Sequence, residues 1–146
     1  MSITEDDLLG YAKSLAEQGA DECQLRASMS RSYYAAFHAL LPLVELLPPS
    51  AKARGREVTH VEVTERLVEW KVDDVCVELS SFRDIKARAQ RAMDTARSKR
   101  VIADYRLGND VNHSDAMGQI HRVEQVIRAA KTLVGVVEAG GNAATG

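Results

Sequence analysis

The residues best suited to chemistry lie in the run Arg31-Ser32-Tyr33-Tyr34-Ala35-Ala36-Phe37-His38-Ala39-Leu40. Guanidinium, phenol and imidazole groups follow one another there, and such groups can donate hydrogen bonds to an anion, stack on a ring or carry a proton. On a helical wheel, Met29, Tyr33, Phe37, Leu40, Val44 and Leu47 fall along one stripe, the pattern of a helix facing a core. Turned roughly 100 to 160° from that stripe, Arg31, Tyr34 and His38 share a second face at i, i+3, i+7. Two readings stand for it. The face forms a polar site, or Tyr34 and His38 sit at the boundary with their polar tips in water. Ala35 and Ala39 make a third face, small enough to admit another helix of the same bundle or of a second copy.

A second candidate is the pair Arg100 and Asp104. If one helix runs from Val75 to Tyr105, these two continue the inward line of Leu79, Phe82, Ala89 and Met93. An ion pair then stands where an apolar side chain is expected, which is costly unless fully hydrogen-bonded. Its presence points to a structural network with the tyrosines or to a site.

These groups need a scaffold, and 146 residues with 45% hydrophobic content suffice for one domain with a real core. The net charge of -2 excludes a bulk binder of polyanions. Even so, Lys86, Arg88, Arg91, Arg97, Lys99, Arg100 and Arg106 lie within one segment, either a local basic surface or a solvated helix face. Cys23 and Cys76 have neither CxxC spacing nor a histidine cluster, and the chain has no signal peptide and no 18-residue apolar run. A cytoplasmic protein with reduced cysteines, no metal and no membrane partner is expected.

The punctuation of the chain gives an all-α reading. Thr4 and Asp7 cap a short first helix carrying Leu8, Tyr11, Ala12 and Leu15, which stops before Gly19. Asp21 caps the long second helix, with Pro42 expected to bend it beyond His38 and Pro48-Pro49 to end it. The stretch 50–58 reads as a mobile loop, and Thr59-His60-Val61-Glu62 as a capping box opening a helix to about Lys71 with His60 at its first position. Asp73 and Asp74 cap the fourth helix. A turn over 107–112 follows, and Ser114 caps a last helix carrying Ile120, Val123, Ile127, Ala130, Val134 and Val137, which ends at Gly140-Gly141. The expected architecture is an antiparallel bundle of four main helices with a short leading one over 1–139, followed by a flexible tail at 140–146.

The run RSYYAAFHAL, then His60, then Arg100-x-x-Ala103-Asp104-Tyr105 resembles the HEPN superfamily, and more narrowly a bacterial branch carrying R-x-Y-Y-A-x-F-H and R-x-x-A-D-Y. The resemblance spans roughly residues 5 to 138 and implies a helical bundle, a homodimer, no cofactor, and work on RNA or nucleotides. Many HEPN proteins are metal-independent endoribonucleases acting as toxins or in antiviral defence; others are non-catalytic partners of minimal nucleotidyltransferases. The family signature, an Arg and a His separated by four to six residues, is matched by Arg106-Leu-Gly-Asn-Asp-Val-Asn-His113. It makes Arg106 and His113 the expected catalytic pair. Leu107 departs from the polar residue usual after the Arg, and the A-D-Y branch often lacks the His. The other reading leaves His113 as a plain residue beside the Ser114 cap, and Arg31, Tyr33, Tyr34, His38, Arg100, Asp104 and Tyr105 as a binding pocket or a structural network. The implied partners are RNA or a nucleotide, a cognate antitoxin or nucleotidyltransferase, and a second copy.

Overall fold

The computed structural model describes residues 2–47, 49–51, 59–70 and 79–145, with side chains given for 83–138 of that last segment. The expected cap at Asp73 and Asp74, the side chains of Leu79 and Phe82, Cys76, and all but the first residues of the loop at 50–58 lie outside them.

The chain is all-helical, in the order α1 (Glu5–Leu15), α2 (Glu22–Glu45), α3 (His60–Glu69), α4 (Leu79–Tyr105) and α5 (His113–Thr145). Both halves of the capping box at Thr4 and Asp7 form, as do both at Asp21 and Gln24, so α1 and α2 begin where side chains satisfy their first orphan N–H groups. Gly19, at φ 89°, makes the reversal between them, a conformation that excludes other residues at low cost.

The helices share one core, and contacts between them run in opposite chain directions. Asp6 meets Lys131 and Lys13 meets Glu124 between α1 and α5. Arg26 reaches Ala103, and Tyr34 reaches Arg100, between α2 and α4. The core stripe of α2 is buried at Met29, Tyr33, Leu40 and Val44, with Phe37 half-buried, and Leu47 just past the helix is buried as well. Ala35 and Ala39 are buried inside the chain, so the close approach they permit is used within the fold rather than across a dimer. In α5, Ile120, Val123, Ile127 and Ala130 are buried as their spacing requires.

Four local expectations are corrected. The inward face of α1 is Leu9, Ala12 and Ala16, and Tyr11 is 55% exposed: the stripe at i, i+3, i+7 is shifted from the one built on Tyr11. At α3, Thr59 Oγ1 accepts from Glu62 N, but the Glu62 carboxylate does not return the bond; it takes Ser50 N at 2.9 Å, Ser50 Oγ at 2.6 Å and Arg66 Nε at 2.7 Å. At α5 the cap is Asn112 rather than Ser114, because Asn112 Oδ1 accepts from Asp115 N at 2.9 Å while Asp115 Oδ2 accepts from Asn112 N at 3.0 Å, two bonds against the one that Ser114 could offer. Finally, α5 runs through Gly140 and Gly141 to Thr145 instead of ending in a tail. Glycine stops a helix by turning left-handed, and among the described residues only Gly19 has positive φ. Helix α2 also continues through Pro42 to Glu45.

The Ser50 hydrogen bonds, then Arg66, hold the buried Glu62 carboxyl down at about 2, against an ordinary 4.5. A depressed carboxylate stabilises the fold above its unfolded pKa, and that contribution is lost as pH falls from 4.5 toward 2. Melting temperature is therefore expected to drop across that window. Glu62→Gln should melt lower than the parent at pH 7 and with a shallower acid limb; parallel curves for parent and variant would refute the assignment.

Candidate functional site

Helices α2, α3 and α4 bring a cluster of rings and charges together. Tyr33 is fully buried, its hydroxyl lies 2.6 Å from His60 Nδ1, and the two rings stack with centroids 5.3 Å apart. Phe37 packs against His60 at 4.5 Å, and Tyr34 meets both Tyr33 and His60 edge-on. From α4, an Arg100 Nη donates to Tyr34 Oη at 2.9 Å, and the guanidinium lies over the rings of Tyr33, Tyr34 and Tyr105 at 5.9, 5.4 and 5.3 Å. Its Nε sits 2.8 Å from Asp104 Oδ2 but makes no aligned hydrogen bond, so this contact is Coulombic; the same oxygen accepts from Ser30 Oγ at 3.1 Å. Arg31 stands over Tyr34 at 5.6 Å.

Burial pushes the Tyr33 hydroxyl up to about 12 and also pushes the His60 imidazole down, helped there by Arg100, Arg97 and His38. Both are therefore neutral near pH 7. A hydroxyl that holds its proton beside a neutral imidazole makes a sound structural hydrogen bond and a poor proton relay at that pH. The interior of the cluster positions; at its rim Arg31 and Tyr105 are exposed, Tyr105 by 68%, while Tyr34 and Arg100 are half-buried.

Six of the seven expected network residues meet here. His38 does not, being exposed and touching the cluster through the edge of Phe37 at 5.5 Å. The Arg100–Asp104 pair is half-buried rather than fully inward, with side chains 16% and 26% exposed. Asp104→Ala would leave the guanidinium with rings but no anion and should cost about 2 kcal/mol, below the range for a fully buried pair. A urea midpoint unchanged by that substitution would show the pair to be solvated.

Arg106 and His113 bracket the turn between α4 and α5, and both are exposed. The His113 ring nitrogen Nε2 lies 3.0 Å from the carbonyl of Ala16 at the end of α1. A carbonyl only accepts, so Nε2 carries the proton and Nδ1 holds the lone pair when the ring is neutral. The turn is also gripped from α2. Arg26, 9% exposed, donates through one Nη to the carbonyls of Ile102 and Ala103, each at 3.0 Å, and to that of Arg106 at 3.4 Å; its other Nη reaches the carbonyl of Asn109. Glu22 pairs with Arg26 and accepts from Val111 N at 3.2 Å.

Arg26 thus caps α4 in trans, satisfying the carbonyls that a helix end leaves open. Reading the sequence missed it. The signal was there, since Arg26 precedes Met29 and Tyr33 by three and seven positions, a charge on the core stripe.

Among the described residues no group of His, Cys, Asp or Glu is placed to hold a metal ion, and no helix is long and apolar enough to cross a membrane. Comparison with family models, with curated proteins and with solved structures gives no match for this chain.

Proposed function

We propose that this chain is a HEPN-type, metal-independent endoribonuclease of a toxin–antitoxin or antiviral defence system, acting in the cytoplasm. The observation that carries this reading is the His113 contact with the Ala16 carbonyl, which orients an exposed imidazole with Nε2 toward α1 at one end of a turn whose other end is Arg106. A base held by a third group is the usual arrangement for proton abstraction.

In the reaction, His113 Nδ1 takes the 2′-OH proton of RNA as that oxygen attacks the adjacent phosphorus. The bond to the 5′ oxygen breaks, the leaving oxygen takes a proton from water or from a second imidazole, and a 2′,3′-cyclic phosphate and a 5′-OH remain. Arg106 offsets the charge that builds on the phosphoryl oxygens. A two-fold homodimer, as the family resemblance implies, would supply the second imidazole.

A second reading rests on a different observation, the stacking of Arg31 and Arg100 on the rings of Tyr34 and Tyr105 at the partly exposed rim of the cluster. Cations stacked on rings suit recognition of a nucleotide or an RNA base. In that case the chain is a non-catalytic module for a nucleotide, RNA or a partner such as a minimal nucleotidyltransferase or an antitoxin. Purified protein incubated with total RNA and short oligonucleotides in EDTA separates the two: the first reading requires cyclic-phosphate ends, and their absence with every RNA tried leaves the second.

A further inference from the structure

Helices α4 and α5 enclose a groove of about 510 Å³ that the turn at 106–112 does not enter. Its walls are Arg88 and Arg91 from α4 and Arg122 and Arg128 from α5, with Thr95, Gln125 and Thr132 between them. Its floor is Ile85 and alanines. Among the described residues no carboxylate lines it, although the chain carries more acidic than basic residues, 21 against 19. The described ion pairs use Lys13, Arg26, Arg66, Arg100 and Lys131, and none involves a groove arginine.

Arg122 is the most constrained of the four. It is half-buried, one Nη donates to Gln119 Oε1 at 2.7 Å, and the buried Gln119 in turn donates to the Ala96 carbonyl at 2.8 Å. The Gln119 amide is thereby fixed by α4 and holds the guanidinium in place, which lessens the rotamer entropy lost on binding an anion. Removal from water pushes the Arg122 pKa down, a cost to its charge that an incoming anion would offset. Four guanidiniums with no acid among them repel one another until something negative lies between.

We infer that the α4–α5 groove binds the phosphodiester backbone of a single-stranded RNA, holding the strand that the turn cuts. Among the described residues no aromatic ring lines the groove, and recognition falls on phosphate oxygens through arginine forks. The groove ends at Thr95, so a strand lying in it would reach Arg106 after roughly 16 Å along α4 at the helical rise. The inference rests on RNA being the substrate, and it explains how a chain of net charge -2 would hold a polyanion.

The experiment uses the whole chain and a fluorescent single-stranded RNA with 2′-O-methyl riboses, which can bind but cannot be cut by a 2′-OH attack. Arg88→Gln, Arg91→Gln and Arg128→Gln are combined, because all three are exposed, while Arg122 is left to spare the Gln119 bond. Affinity is expected to fall at least about tenfold at low salt, and the slope of log affinity against log salt to shrink by about 2, near 0.7 per lost phosphate contact. Circular dichroism melting should be unchanged. Arg106→Ala should alter this binding less than about threefold, one phosphate contact among several. Unchanged affinity and slope in the folded triple variant, or no binding by the parent, overturns the groove assignment. Groove-dependent binding without any cleavage of unmodified RNA would instead retain the groove and remove the nuclease reading.

Discussion

Arg26→Met is expected to lower stability by about 3 kcal/mol, the largest effect of any single polar substitution proposed for this fold. The methionine keeps much of the apolar stem but removes every donor, so the carbonyls of Ile102, Ala103, Arg106 and Asn109 all lose their bond to α2. At about 1 kcal/mol for each such bond in a partly dry site, and with some water able to enter, the sum falls near that figure. Arg26→Lys should recover only part of it, since an ammonium cannot fork between the end of α4 and the turn. Urea unfolding measures the loss. Hydrogen exchange at 106–112 measures its location: those amides should open locally in the variant. An unchanged urea midpoint would mean that the turn holds itself and that Arg26 is a bystander.

The other large effect is expected in activity. His113→Ala and Arg106→Ala should each lower RNA cleavage by about two orders of magnitude or more, the usual scale for loss of a proton-transferring imidazole or of a group that stabilises phosphoryl charge. The two variants differ in stability. His113→Ala also removes the tie to Ala16 and should melt lower, whereas Arg106 contributes to the described hydrogen bonds through its main chain, which alanine preserves. Arg106→Ala is therefore the cleaner probe: it should fold like the parent and fail to cut. Cleavage that survives Arg106→Ala at parental rate would remove Arg106 from the catalytic pair.

Helix existence was legible wherever an apolar period met a cap, as at Thr4, Asp21 and Thr59, because these depend on neighbours within one turn. The cap of α5 was misplaced by two residues, from Asn112 to Ser114, since both are good caps and only the reciprocal bond with Asp115 decides between them. In the site, spacing on one helix was enough to put Tyr34 and Arg31 on a common face. It was not enough to exclude His38, whose distance from Arg100 depends on how α4 crosses α2. Nor did it show that His60 lies under Tyr33 or that Arg26 grips the turn, because those contacts join residues 27 to 83 positions apart. The groove arginines were visible only as half of a basic segment; their partners on α5 come into register through packing.

The grip of Arg26 on the last turn has a consequence for the order in which the protein assembles. Its acceptors lie 76 to 83 residues downstream, so the guanidinium finds them only after α4 has formed and closed a long loop back onto α2. The turn that carries Arg106 and His113 thus acquires its shape among the last events of folding. A chain emerging from the ribosome carries the first tyrosines and the first arginines before it carries a shaped turn, and whatever that turn does to RNA waits until α4 has been made and packed against α2.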